Sequence, residues 1–291
     1  MLRLNSKNLT QASLDHLASR QKQINDLLPF EGKAKEAVRL WSGKASAAFD
    51  EVKQILKEIC VSVEICNYCE NNEATDIEHI YPKKLYPEKA FTWENYVLAC
   101  GKCNSHHKSD KFKIFNPQNS VTVEDVTPPR GTYRQPANDD SLFVNQRTEN
   151  PLDFLELDLR EQTFMFTEKF PEGTREYHRA AYTIELLGLN TRGALVAARR
   201  NAARFFISRL EKYVNVKNSN DFQELKDAVD DFGTIDERAS FTEEKIRILE
   251  SIKKDILEGS HPTVWKELIR QRVNLRKTNR LLDVAPEALN W

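Results

Sequence analysis

The chain contains no apolar run of about eighteen residues, the length a helix needs to cross a bilayer. Its first residues also lack the apolar core of a secretion signal. A soluble, cytoplasmic protein is therefore expected. An excess of charge of either sign is missing too: 43 lysines and arginines stand against 44 aspartates and glutamates. Binding to nucleic acid through bulk charge is excluded, so any such contact has to come from a local concentration of lysines. Cysteine is scarce, with five residues in 291. So few fit a reducing compartment, and their spacing becomes the question.

Four of the five fall into two pairs. Cys66 and Cys69 form one C-x-x-C and Cys100 and Cys103 another, with thirty residues between Cys69 and Cys100. Two thiolate pairs of this kind can close a tetrahedral site, and zinc held by four thiolates is structural because no position stays open for water. Unligated core cysteines or a redox C-x-x-C are the alternatives. Redox motifs come singly in a thioredoxin-like β-α-β setting, which two matched pairs argue against. An apolar run reaching Ile65 leads into the first pair, and Gly101 lies inside the second, where a tight metal-binding turn calls for positive φ. Cys60, on an apolar helical face, reads as a buried thiol.

Between the pairs runs Asp76-Ile77-Glu78-His79-Ile80-Tyr81-Pro82-Lys83. Ile77 and Ile80 among polar residues predict a short strand that stops at Pro82 and leaves Glu78 and His79 at its end. A carboxylate beside an imidazole suits metal-assisted hydrolysis: the oxygen binds a hard cation and the neutral ring takes a proton from water. A lone histidine in an apolar strand is more often structural. The neighbouring Trp93-Glu94-Asn95-Tyr96-Val97-Leu98-Ala99-Cys100 and Asn104-Ser105-His106-His107-Lys108 reverse that balance. Asp76, two residues before Glu78, shares its face in a regular strand and serves as an orienting or merely solvated carboxylate. From His79 to Lys113, seven lysines (83, 84, 89, 102, 108, 111 and 113) stand against Glu88, Glu94 and Asp110. Of these, Lys83, Lys84, Lys108 and Lys111 are the candidates for nucleic-acid contact.

Taken together, DIEHIYPK, WENYVLAC and CNSHHKSDKF resemble the HNH, or ββα-metal, endonuclease motif in its zinc-knuckle form. The resemblance implies that Glu78 is a metal ligand and that His79 is the general base for the attacking water. It implies that Asn95, sixteen residues after His79, braces the hairpin and the base loop, and that Asn104, nine further on, is the second metal ligand. Many members read C-N-x-x-K after the last cysteine pair, whereas this chain has one residue more before Lys108. If a helix begins near Asn104, His107 lies one turn along the same face, so Asn104, His107 or both are candidate ligands. His106 then falls to a solvated or phosphate-contacting role. The implied cofactors are Zn²⁺ at the thiolates and Mg²⁺ or Mn²⁺ at the oxygens, since the soft ligands select the soft ion.

The remainder reads as mostly helical. Leu14, Leu17, Ile24 and Leu28, then Ala37, Val38 and Trp41, then Phe49, Val52, Ile55 and Leu56 mark a helical lead-in over residues 1–60. Residues 116–172 are punctuated by prolines, with a strand at Val121 to Val126 and a hairpin joining Phe154–Leu159 to Thr163–Thr167. From 173 to 291 the pattern is helical, including a short stripe of Phe222, Leu225, Val229 and Phe232 and a basic solvated face at Arg270, Arg272, Arg276, Lys277 and Arg280. The expected fold is mainly α with a small α+β insert: a nuclease-like core at 61–115 between helical regions. PLDFLELD, a hairpin and YTIELLGLNTRGALVAARR resemble the segment C-terminal to the core in the HNH subunit of Septu-type and retron-associated antiphage systems, where the nuclease works with an ABC/SMC-like ATPase. The expected function is a metal-dependent endonuclease on nucleic acid, DNA ahead of RNA, with such a partner. A stand-alone restriction-type enzyme, or a zinc-dependent binding or interaction subunit without catalysis, are the alternatives.

Overall fold

Three helices open the chain where apolar residues recur at helical spacing. In the computed structural model, which describes residues 1–229 and 234–291, they are α1 (Gln11–Asn25), α2 (Phe30–Ser42) and α3 (Ala47–Glu58). Thr10 starts α1 by accepting the Ser13 N–H on its hydroxyl at 3.4 Å, and Glu51 of α3 accepts the Thr10 N–H at 2.8 Å. Leu17, Ile24, Leu40, Phe49, Val52 and Leu56 point inward and form one core with Trp93, Tyr96 and Leu98. Each such side chain contributes about 1.5–3 kcal/mol when fully buried. The lead-in therefore belongs to the same hydrophobic cluster as the central strands.

Those strands are β1 (Asp76–His79) and β2 (Tyr96–Ala99), antiparallel, with Glu78 opposite Val97 and His79 opposite Tyr96. Lys102–Lys108 follows as a helix wound with i→i+5 bonds, in which the Ser109 N–H donates to Asn104 O at 2.7 Å. Next come β3 (Lys113–Asn116) and β4 (Asn119–Asp125), a second antiparallel pair. β4 covers the strand expected near Val121. β3 is too short to show an alternating pattern of its own, and the limit drawn at residue 115 falls inside this hairpin. β5 (Leu155–Leu157) and β6 (Phe166–Glu168) form the third pair, shorter than its alternating pattern suggests. α4 (Arg175–Leu186) is capped by Thr174 and stops just before Gly188.

The chain divides into two compact units, Met1–Glu156 with Met165–Leu195, and Leu157–Phe164 with Val196–Trp291. The second holds most of α5 (Gly193–Asn218), then α6 (Phe222–Ala228), α7 (Phe241–Leu257), α8 (Pro262–Arg270) and α9 (Arg276–Val284). It buries its own core of Phe206, Leu210, Ile252, Ile256, Trp265 and Leu282. On its basic face, Arg270 pairs with Glu267 at 2.6 Å and Lys277 with Glu211 at 2.8 Å. Phe232, counted in the apolar stripe, lies outside the described residues. The protein is thus mostly helical with small sheets. Among the described residues no helix is long and apolar enough to cross a membrane.

Candidate active site and metal centre

The sulfurs of Cys66, Cys69, Cys100 and Cys103 are all buried and lie within 4.8 Å of one another. The first pair rides on a tight loop closed by the Ile65–Glu73 bridge and by the Cys66 N–H donating to Asn72 O at 2.8 Å. Positive φ falls on Glu70, at 57°, rather than on Gly101, whose φ of −54° is helical. The reason is that the second pair already runs into the helix, with the Asn104 N–H donating to Cys100 O. Asn72 Nδ2 approaches the Cys100 sulfur at 3.7 Å and Arg192 Nη1 the Cys103 sulfur at 3.5 Å. The thiols share protons: contact with Cys100 holds Cys69 well below the usual thiol range, and contact with Cys103 brings Cys100 down to about 6. Cys66 and Cys103 are pushed up, chiefly by Cys100. Four buried soft ligands in so small a volume fit a tetrahedral zinc ion.

β1 alternates its side chains between two faces. Ile77 and His79 turn to the helical core, and the His79 ring lies 4.1 Å, centroid to centroid, from Trp41 of α2 and 5.3 Å from Tyr96. His79 is buried, with Nε2 2.9 Å from Ala90 O. A carbonyl only accepts, so Nε2 carries the proton and Nδ1 keeps its lone pair. Burial, and after it the Lys83 ammonium, push the imidazole pKa well below its usual 6.5. The ring is neutral near neutral pH.

Asp76 and Glu78 face the i→i+5 helix and meet it in two rungs. Asn104 Nδ2 donates to Asp76 Oδ2 at 3.0 Å, and Lys108 Nζ donates to Glu78 Oε1 at 2.7 Å and to His79 O at 2.6 Å. Burial raises the Glu78 pKa while Lys108 opposes that rise. The residue that exceeds C-N-x-x-K is absorbed here, since a wider turn accommodates an insertion without rotating later positions off the shared face. Asn104 and Lys108 therefore both reach β1. Two carboxylates and an amide carbonyl on one side of a strand form an oxygen set that suits a hard divalent ion.

His107 goes elsewhere. Its ring lies against Gly188, where an added Cβ would come within 2.7 Å of Cε1, and it lines a cavity of about 390 Å³ with Lys111, Lys113 and Tyr182. Lys108, expected at the nucleic-acid surface, is fully buried because its helix aims it at Glu78. Lys84 pairs with Asp110 at 2.6 Å, Lys111 is exposed, and Lys83 sits 5.8 Å from the Trp41 ring centre. Sequence reasoning placed Trp41 in a core stripe without its contact to His79, and missed Arg192, which no local pattern marks. It named Asp76 but not its bond to Asn104.

Asn95, buried at the start of β2, makes three hydrogen bonds to backbone: Oδ1 accepts the Tyr81 N–H at 2.7 Å, and Nδ2 donates to Tyr81 O at 3.0 Å and Lys89 O at 2.8 Å. Asn95→Ala leaves those groups unpaired and is expected to destabilise the protein by about 1–3 kcal/mol. Denaturant unfolding measures it, and an unchanged midpoint would rule out a bracing role.

A family model described as HNH endonuclease matches residues 66–110. The Septu protein PtuB of Bacillus mycoides (strain KBAB4) is 27% identical over 124 residues, 37% of this chain and 38% of that protein. The Septu protein PtuB of Bacillus thuringiensis is 36% identical over 61 residues, 20% of this chain and 23% of that protein. The chain thus matches well under half the length of either relative. No solved structure matches it. The family match starts on the first sulfur of the cysteine cluster and ends on Asp110, the partner of Lys84, so both pairs, the β1–β2 hairpin and the i→i+5 helix all fall inside it. Residues 66–110 thus carry an HNH endonuclease domain match.

Proposed function

We propose that the chain is a metal-dependent endonuclease that hydrolyses phosphodiester bonds, in DNA ahead of RNA, as the nuclease of a cytoplasmic antiphage system with an ATPase partner. In this reading β1, β2 and the helix Lys102–Lys108 are the ββα-metal core, and the four cysteines would hold a structural zinc. The observation that carries it is a dry, neutral imidazole on one face of a short strand whose other face carries Asp76 and Glu78 against Asn104. Similarity to two Septu proteins supports the defence setting.

Glu78 and Asn104, with Asp76 beside them, would hold Mg²⁺ or Mn²⁺, which when bound polarises a phosphate oxygen and eases departure of the 3′ oxygen. The chain's own groups do the rest. His79 Nδ1 accepts a proton from the attacking water. Ala90 O fixes the tautomer, and Trp41 and Tyr96 fix the plane of the ring. Lys108 opposes the rise that burial imposes on the Glu78 pKa. Asn95 holds the loop that carries Ala90's neighbour Lys89. His107 has the cavity beside Tyr182 for its surroundings, so Asn104 is the better placed of the two candidate ligands.

Supercoiled plasmid incubated with the purified chain and Mg²⁺ or Mn²⁺ is expected to be nicked or linearised, with cleavage lost in chelator and restored by the ion. Absence of cleavage of plasmid and of RNA with either ion, with and without a co-purifying ATPase, would overturn the reading.

A further inference from the structure

Positive charge around His79 is only partly matched by carboxylates. Lys84 is held by Asp110 and Lys108 by Glu78. Lys44 and Lys83, by contrast, have no ion pair among the described residues; their ammonium groups lie against the Trp41 ring, 4.8 and 5.8 Å from its centre. Trp41 is half-buried. It meets His79 at 4.1 Å and is packed against Phe49, Phe91 and Tyr96 at 5.4, 5.9 and 5.4 Å. A single indole therefore bears on the imidazole and on two ammoniums without a direct ion pair among the described residues, Asp110 and Glu78 acting on Lys83 only through space. The aromatic packing holds it in place; Trp41 belongs to the last turn of α2 and Lys44 follows the helix's C-cap, Gly43, both outside the stretch matched by the family model.

We propose that Trp41, Lys44 and Lys83 form a phosphate clamp on the α2 side of His79, the two lysines binding the substrate backbone next to the scissile bond and the indole positioning the imidazole. The inference rests on the nuclease reading and assigns the substrate a path across the helical lead-in. Two ammoniums gathered on one ring and not taken up by carboxylate contacts are free to donate charge-assisted hydrogen bonds to a phosphate. Aromatic support costs such a site little order on binding, since the ring is already fixed. Trp41 is a positioning residue here, and Lys44 and Lys83 are binding residues.

The test uses the full chain and a fluorescein-labelled DNA duplex, with the matching single strand as a second probe. Affinity is measured in a His79→Ala background so that the probe stays intact. Lys44→Ala and Lys83→Ala are each expected to weaken binding of any sequence and to make log Kd against log salt shallower by about one. In the active background, Trp41→Leu is expected to lower kcat by about ten- to a hundredfold with a smaller change in KM, and Trp41→Phe to recover most of it. If Trp41→Leu fails to fold, the lysine variants decide the matter: Lys44 is partly exposed and outside the buried core, which its loss leaves intact. A wild-type chain that cuts while both lysine variants keep wild-type affinity and salt slope overturns the clamp alone. A wild-type chain that cuts neither probe under either ion overturns the nuclease reading and the clamp with it.

Discussion

His79→Ala is expected to lower cleavage by about a hundred- to ten-thousandfold, the range associated with losing a general base, while the cysteine cluster stays intact. The ring's polar bond is to Ala90 O, and that oxygen keeps the Tyr96 hydroxyl at 2.8 Å when the imidazole is removed. No buried carbonyl is orphaned. What remains is a cavity against Trp41, at a cost of about 2–5 kcal/mol by comparison with other large-to-alanine core changes. That lowers the melting temperature but stays inside the stability of an ordinary domain, about 5–15 kcal/mol. Zinc content and the unfolding transition should both persist. The pH dependence carries the same signature. Since burial holds the His79 pKa below 6.5, the base is neutral across the neutral range. Wild-type cleavage then declines only as the pH falls through that lowered value, and the residual activity of the alanine variant shows no such decline. Cleavage within about tenfold of wild type, too small a loss for a general base, or an unchanged acid limb in the variant, would remove His79 from the mechanism.

How much of this is legible in the sequence depends on the range of the signal. Helices announce themselves locally: α2 ends at the Ser42-Gly43 break, and α4 ends before Gly188, as their apolar spacing and stop residues require. β1 is likewise written into Ile77, Ile80 and Pro82, and the sulfur cluster into two short spacings. The rungs from β1 to the helix are another matter. Asn104 bonds to Asp76 and Lys108 to Glu78 from one helix face, as residues four apart can; the wider i→i+5 turn is what carries His107 off that face, and it depends on packing and not on periodicity. A regular helix would put His107 on that face, which is what makes it an attractive ligand in the sequence. Trp41 reads as an ordinary core position because its helical stripe is the same whether it covers an isoleucine or an imidazole. Arg192 reaches Cys103 across 89 residues of sequence, where no spacing rule operates.

With the proposed zinc at the four sulfurs, replacing Cys66 or Cys103 with serine is expected to release that ion and unfold residues 66–110. Zinc bound by four thiolates contributes folding free energy of about 10–16 kcal/mol in small zinc domains, which matches or exceeds the roughly 5–15 kcal/mol that holds a whole domain together. The local structure gives the reason little else would compensate. The first cysteine pair lies on a short loop and the second leads straight into the helix, and β1 and β2 are four residues each, so the hairpin's ladder alone is marginal in water. Cys100 begins immediately after β2, and the first pair is bonded to that strand through the Asn67 N–H to Leu98 O at 3.1 Å. Loosening the cluster therefore frees the strand that carries Glu78 and His79 as well as the helix that carries Asn104. Helical signal should fall only in part, because α6 to α9 bury a separate core that includes none of the cysteines. Metal analysis, circular dichroism and thermal unfolding of each variant read the outcome directly. A serine variant that loses its zinc yet unfolds at the wild-type temperature would show that the four sulfurs are passengers in the fold; one that keeps the ion would show that three of them suffice.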